Sequence, residues 1–296
     1  MNHVAHWDDV EPYRREAGHL GGDWYDLGRA AGSVSVGLKR IVVDGGKWST
    51  PAHVEGAEEE IFFVLGGSGL SWQDGEAFEI RERDVLVHLP EAHAHTLRAD
   101  PDGLDVLAYG QRKAQGNTVL PRASVAWMQP SWVDVGGQHP WEREAAAGEP
   151  EVAEISPRPS RIARLDDGIR WELETGAVDL NLGDVAGSQE TGISHMTLPP
   201  GAEGYPPHCH GAEEELFVVL EGAGTVVLGD ERADVRRGSI VSRPAGTRVP
   251  HSFRAGDEGL AYLAYGTREP NDVVYYPRTD EIRFRGVGIT IPAGGR

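Results

Sequence analysis

The stretch "HCHGAEEELFVVLEGAG", His208–Gly224, sets two histidines around the chain's only cysteine, just before three glutamates and a run of β-forming residues closed by glycine. A second stretch, "HVEGAEEEIFFVLGGSG", His53–Gly69, lies 155 positions earlier and repeats it almost residue for residue. One difference is chemical: Glu55 stands where the later copy has His210. The match runs back without a gap to Leu27 and Leu182, through "LGRAAGSVSVG" and "LGDVAGSQETG". It continues forward with small length changes, "DVLVHLPEAHAHTLRA" against "GSIVSRPAGTRVPHSFRA" and "GLDVLAYGQR" against "GLAYLAYGTR". Solenoid repeats have periods of about 20–50 residues, so this spacing marks a duplicated domain.

Each copy reads as strands and turns. "EIFFVLGG" and "ELFVVLEG" are short β-branched and aromatic runs. Asp74-Gly75 and Gly229-Asp230 are tight-turn signals between strand-like arms. Several short strands at regular spacing predict an all-β sandwich or closed barrel per copy. The expected organisation is an N-terminal extension at 1–26 and a first barrel at 27–139 with a tryptophan-containing extension, "NTVLPRASVAWMQPSWVDVGG". A Glu-, Ala- and Pro-rich linker follows at 140–161, with a short helix near Trp141–Ala147, and then a second barrel at 162–296 ending in one or two extra strands.

The bulk composition excludes several functions. With 28 basic and 47 acidic residues the formal charge is −19, which repels nucleic-acid phosphates and anionic membranes. No apolar run is long enough to span a bilayer. The polar N-terminal stretch lacks the apolar core of a secretory signal. One cysteine forms no internal disulfide, which fits a reducing, cytoplasmic setting. There is no P-loop, dinucleotide fingerprint or nucleophile elbow.

The chemistry sits in the repeated stretch. If Pro207–Cys209 is strand, alternation puts His208 and His210 on one face and turns Cys209 to the other, away from any ligand role. Glu215 opens the next strand, and His251 follows the turn "PAGTRVP" on a later one. Three imidazoles and a carboxylate converging in a barrel suit Fe, Ni, Cu, Zn or Mn, and the lack of a cysteine ligand argues against closed structural zinc. The aligned set in the first copy is His53, Glu55, Glu60 and His95, with His93 as a competitor for the last place. That set is harder and more anionic, which favours Mn or Fe if a metal binds at all. Otherwise the first copy is decayed, with Glu55 ion-paired or turned to solvent. Glu58, Glu59, Glu213 and Glu214 read as solvated, with one free to orient a ligand histidine. His88 and His195 read as satisfied structural histidines. Phe217, Val219 and Phe253 are expected to point inward, and Tyr205, Arg243 and Tyr262 to shape a pocket mouth or wall.

The pattern G-x6-HxH-x4-E-x6-G at Gly201–Gly222, followed by G-x5-PxG-x4-H at Gly238–His251, resembles the two motifs of cupins. The chain resembles a bicupin, with two such barrels over roughly 27–110 and 182–266. Both copies have one extra residue before the first histidine, and four residues rather than two separate Gly246 from His251. The resemblance implies a double-stranded jelly roll holding a divalent metal on His208, His210, Glu215 and His251, so one or two ions (Fe, Mn, Ni or Zn) per chain. It also implies a small-molecule ligand, two barrels around a pseudo-dyad, and room for a homodimer. Fold alone does not fix the reaction. Dioxygenase chemistry on a small oxygenated or carboxylate substrate is the first choice. Decarboxylase, isomerase and aminohydrolase activities, or a non-catalytic binding protein, are the alternatives.

Overall fold

The computed structural model describes residues 3–133 and 136–294. Two eight-stranded antiparallel sheets and two four-stranded sheets account for the strands. The fold is all-β, a duplicated jelly roll. In each copy the centre is a long hairpin-like pair: Glu60–Gln73 against His95–Gln111, and Glu215–Leu228 against His251–Thr267. Both glutamates therefore begin a central strand, and both histidines begin its partner. The turn after Gln73 places Asp74 and Gly75 at φ 47° and 96°, the left-handed pair that a two-residue hairpin needs.

The copies interlock at their N-terminal strands. Val4–His6 pairs with Ser239–Val241 in the second large sheet, while Ile162–Arg164 pairs with Asp84–Leu86 in the first. Tyr13–Ala17 and Leu20–Tyr25, in the stretch read as an extension, pair like Ile169–Glu172 and Val178–Asn181 of the second copy. A single apolar cluster joins both copies, with Leu38, Ile61, Phe63 and Tyr109 packed with Ile193, Leu216, Leu263 and Tyr265. Tyr109 and Tyr265 occupy matching positions, opposite Ile61 and Leu216, and stack with ring centroids 4.6 Å apart.

The two terminal extensions are counterparts. Asn117–Leu120, Val125–Met128 and Ser131–Val133 form a small sheet with Val54–Glu55. Val273–Tyr276, Glu281–Phe284 and Ile289–Pro292 do the same with Cys209–His210, giving three added strands where one or two were expected. Each small sheet thus starts from the motif's own histidine or glutamate strand. Trp127 and Trp132 pack edge to face on the first of them, Trp132 being exposed; Asp134 and Val135 of that extension lie outside the described residues. Between the copies, a helix spans Pro140–Ala146, capped by His139.

The glutamate triplets correct the sequence reading. Glu59, Glu213 and Glu214 are buried, and only Glu58 is half-exposed. The Glu59 carboxylate accepts from the amides of Gln189, Glu190 and Thr191 and from both Ser188 Oγ (2.6 Å) and Thr191 Oγ1. Its counterpart Glu214 accepts from the Val34 amide (2.8 Å) and from the amide and hydroxyl of Ser35. Each copy thereby grips the matching loop of the other. A buried carboxylate is stable there because several donors replace its lost water.

Candidate metal centre

Four side chains of the second copy converge on one oxygen. Glu215 Oε2 lies 3.0 Å from His251 Nε2, 3.4 Å from His210 Nε2 and 4.0 Å from His208 Nε2. The far side of each of two rings is fixed. His208 Nδ1 is 2.8 Å from the Pro206 carbonyl, and His210 Nδ1 is 2.7 Å from Asp272 Oδ2. Both rings therefore turn Nε2 to the centre. Cys209, buried on the opposite face, takes no part.

Electrostatics prepare His208 and Glu215 for ligation and favour the protonated ring at His210. Burial, then the neighbouring His251, pull His208 down to about 4, so its ring is neutral. Burial alone would raise Glu215, but the charges of His251 and His210 outweigh it and hold the carboxyl well below its usual range. His210 is pushed up: burial opposes this, and the charge of Glu215 with the Asp272 hydrogen bond overcomes it.

The donor set fits a divalent ion. Glu215 Oε2 and His251 Nε2 are buried and lack hydrogen-bond partners, a costly arrangement unless something else satisfies them. Donors held at about 2.0–2.2 Å from one ion stand about 3.0–3.5 Å apart along adjacent edges, and the spacings here bracket that range. Asp272 supplies the carboxylate behind a ligand histidine that such sites use to fix ring orientation. His210, Glu213 and Asp272 also approach one another, on the Nδ1 side of the ring. That group orients His210. Glu213 there accepts from Arg285 Nη1 and from the Glu269 amide.

The first copy differs. His53 Nε2 and His95 Nε2 lie 3.3 Å and 3.0 Å from Glu60 Oε2 and bond to it, closing the centre on itself. Glu55 lies outside this three-residue group, as His210 lies outside that of His208, Glu215 and His251; but His210 Nε2 still reaches to 3.4 Å from Glu215 Oε2, whereas Glu55 accepts from Thr118 Oγ1 at 2.9 Å. Strand register explains why. Glu55 pairs with Thr118 as His210 pairs with Val274, so Gly116 takes the place of Asp272. The histidine and its orienting carboxylate are both replaced. His93 stands outside the group of His53, Glu60 and His95, and forms a second three-histidine group with His88 and His95: its Nε2 is 3.0 Å from His88 Nδ1, and His88 stacks on His95 at 3.8 Å.

Other expected residues divide similarly. Phe217, Val219 and Phe253 point inward to a cluster with Met196 and Tyr262. Tyr205 and Tyr262 line a cavity of about 260 Å³ that opens onto His208, Glu215 and His251. Arg243 does not line it. It is buried against the turn before His251, donating to Thr247 Oγ1 (3.1 Å) and the Val249 carbonyl (2.8 Å). His88 Nε2 and His195 Nδ1 are buried without partners, so neither ring is fully satisfied. Three site residues escaped the sequence reading. Tyr276, which stacks over His208 at 5.7 Å, comes from the C-terminal small sheet, Asp272 from the residue just before its first strand, and Asp179 from the strand Val178–Asn181. The unused signal was the equivalence of the two small sheets.

Comparison with known proteins follows the same lines. The cupin domain family profile matches residues 194–265, which contain all four convergent side chains. The formate complex of Lactobacillus farciminis oxalate decarboxylase superposes with a TM-score of 0.63 at 16% identity, over 90% of this chain and 86% of that one. The chain has the two-barrel fold of a bicupin. A mutant of Bacillus subtilis oxalate decarboxylase gives a TM-score of 0.63 at 17% identity, over 92% and 79% of the two chains. A structure used to assign the Mn(II) centres of that Bacillus subtilis enzyme gives 0.62 at 14%, again over 92% and 79%. At such identities the likeness is one of fold. No curated protein matches the chain in sequence. No helix among its described residues is long and apolar enough to cross a membrane.

Proposed function

We propose that this bicupin is a metal-dependent enzyme acting on a small carboxylate-bearing, oxygenated molecule in its second barrel. The observation that carries this reading is the pair of buried atoms Glu215 Oε2 and His251 Nε2, 3.0 Å apart and without a hydrogen bond, at the focus of three imidazoles beside an open cavity. His208, His210, Glu215 and His251 would hold the ion. Three imidazoles with one carboxylate suit manganese or iron. Bound there, the ion would act as a Lewis acid for a substrate carboxylate or hydroxyl oxygen, or as electron relay to O₂. The chain's own groups do the rest. Asp272 and Pro206 fix the rings of His210 and His208, and Tyr276 covers His208 from one side. Ile193, Met196, Phe217 and Phe253 exclude water from one wall of the cavity.

That apolar wall favours a substrate with a carbon skeleton beyond its acid group, and with it oxidative cleavage of the dioxygenase type. Decarboxylation is the second reading. It is favoured by the fold shared with oxalate decarboxylases over most of both chains. Elemental analysis of untagged wild type and His208→Ala is the first test. About one manganese or iron per chain, lost in the variant, is expected. No metal in wild type after reconstitution overturns the enzyme reading. Oxygen uptake and CO₂ release by the loaded protein, across small hydroxy and keto acids, then separate the two reactions.

A further inference from the structure

The cavity has a second polar centre away from the metal-ligand set. Asp179 sits mid-strand in Val178–Asn181, directly opposite Met196, whose side chain belongs to the inner apolar cluster. It is 9% exposed and lines the cavity. Its Oδ2 accepts from Tyr205 Oη at 2.8 Å, while Oδ1 is buried with no partner at all. A carboxylate oxygen left bare among apolar side chains destabilises a fold.

The duplication supplies an internal control. Register places Trp24, opposite Ile41, at the position of Asp179. Trp24 is 3% exposed and belongs to the first copy's core cluster with Ile41, Phe62 and Leu97. Val106 stands opposite Val64 where Tyr262 stands opposite Val219. Where the first barrel has Trp24, Val106 and Thr50, the second has Asp179, Tyr262 and Tyr205. The first barrel packs an indole where the second has the carboxylate, so the architecture itself does not call for an acid at this position.

We propose that Asp179 is a specificity-determining residue, its free oxygen accepting a hydrogen bond from a hydroxyl or ammonium group of the molecule that enters the cavity. This rests on the reading that the second barrel's cavity is where substrate binds. Combined with an acid group at the ligand cluster, it makes the substrate a hydroxy acid or an amino acid. Tyr205, donating to Oδ2, positions the carboxylate so that Oδ1 is the one left for the ligand. A site built to pair a buried acceptor rejects analogues lacking the donor, because the acceptor is then stranded.

The test uses matched straight-chain acids of about three to six carbons, each as the plain acid, the terminal hydroxy acid and the terminal amino acid. They are titrated calorimetrically into the full-length protein, manganese-loaded and metal-free. In wild type at least one hydroxylated or aminated member should bind about tenfold or more tighter than its plain acid. Asp179→Leu should reduce that ratio to less than about twofold while keeping its metal. It should also melt no lower than wild type, and up to about 3 °C higher, because a stranded acceptor has been removed. Asp179→Asn, which keeps an acceptor but not the charge, should retain a hydroxyl preference and lose an ammonium preference. The proposal is overturned if wild type discriminates within no set, if discrimination survives in Asp179→Leu, or if that variant melts several degrees lower. Wild type that holds no metal yet discriminates through Asp179 would sink the metal-enzyme reading and leave this one standing.

Discussion

His210 works through its far side. Its Nδ1 is tied 2.7 Å from Asp272, and Asp272 Oδ1 also accepts from the amides of Ala212 and Glu213. One carboxylate thus fixes both the ring and the turn that follows it. Asp272→Ala should weaken metal affinity about 10–100-fold, read by competition with a chelator, while His208 and His251 still hold the ion. The facing of His208 and His210 away from Cys209 was legible from strand alternation alone. Asp272 was not legible, because it lies far along the chain, just before a strand of the small sheet, and has glycine as its counterpart. In the first copy the same positions set a pH dependence. Burial opposes protonation of His53, but its bond to Glu60 prevails and lifts it to about 9. That stabilisation is fully present below about 6.5 and is lost as pH rises through 9. Burial, then the charge of Glu60, raise Glu55 to about 7, so its neutral form is favoured and ionisation costs stability from about pH 4.5 upward to 7. Glu60, buried but held well below its usual range by His53 and His95, contributes stability above about pH 4.5 that is lost as pH falls through its folded value. The combined contribution of these three groups in metal-free protein should therefore be largest near pH 5–6 and decline towards pH 9. Thermal melts of wild type and His53→Gln across that range check it, the variant showing the flatter alkaline limb.

Among elements, the loops gripped by Glu59 and Glu214 decide how the two copies meet. Residues 188–191 direct three amides and two hydroxyls at one carboxylate, and residues 34–35 direct two amides and a hydroxyl at the other. Glu59→Ala strands several buried donors at once and should cost about 3–5 kcal/mol; Glu214→Ala, with fewer donors, about 2–4 kcal/mol. Urea unfolding measures both, and a loss under 1 kcal/mol in either would show that water replaces the grip. The triplet itself was visible in the sequence, and so was its repetition. Its burial was not, because three adjacent glutamates in a turn look solvated unless the loop from the other copy is known to cover them. The small sheets were hidden for a similar reason. Their added strands share no identical residues in register beyond the Pro121-Arg122 and Pro277-Arg278 that follow the first of each, and the backbone pairing of Glu55 with Thr118 and of His210 with Val274 reveals them as equivalents.

For the whole molecule, duplication was legible and interlocking was not. The repeat set the fold through Glu60, Glu215 and the strands they open, but Val4–His6 and Ile162–Arg164 are three-residue strands with no hydrophobic pattern to announce their partners. Each crosses to the other copy's sheet, and Trp7, just after the first, packs into the shared core. Separating the copies would leave two sheet edges unpaired, two loops without their carboxylates and a large apolar face in water. Long unpaired edges and exposed apolar patches of this kind favour aggregation over independent folding. The intact chain should therefore unfold in one calorimetric transition, with van't Hoff and calorimetric enthalpies agreeing, although its length is that of two ordinary domains. Residues 1–161 and 162–296 expressed apart should be poorly soluble, and co-expression should recover a complex that elutes with the intact chain. Two separated transitions, or either half folding alone to a monomer, would show that the shared core around Tyr109 and Tyr265 is a docking surface between independent barrels, not the centre of one cooperative unit.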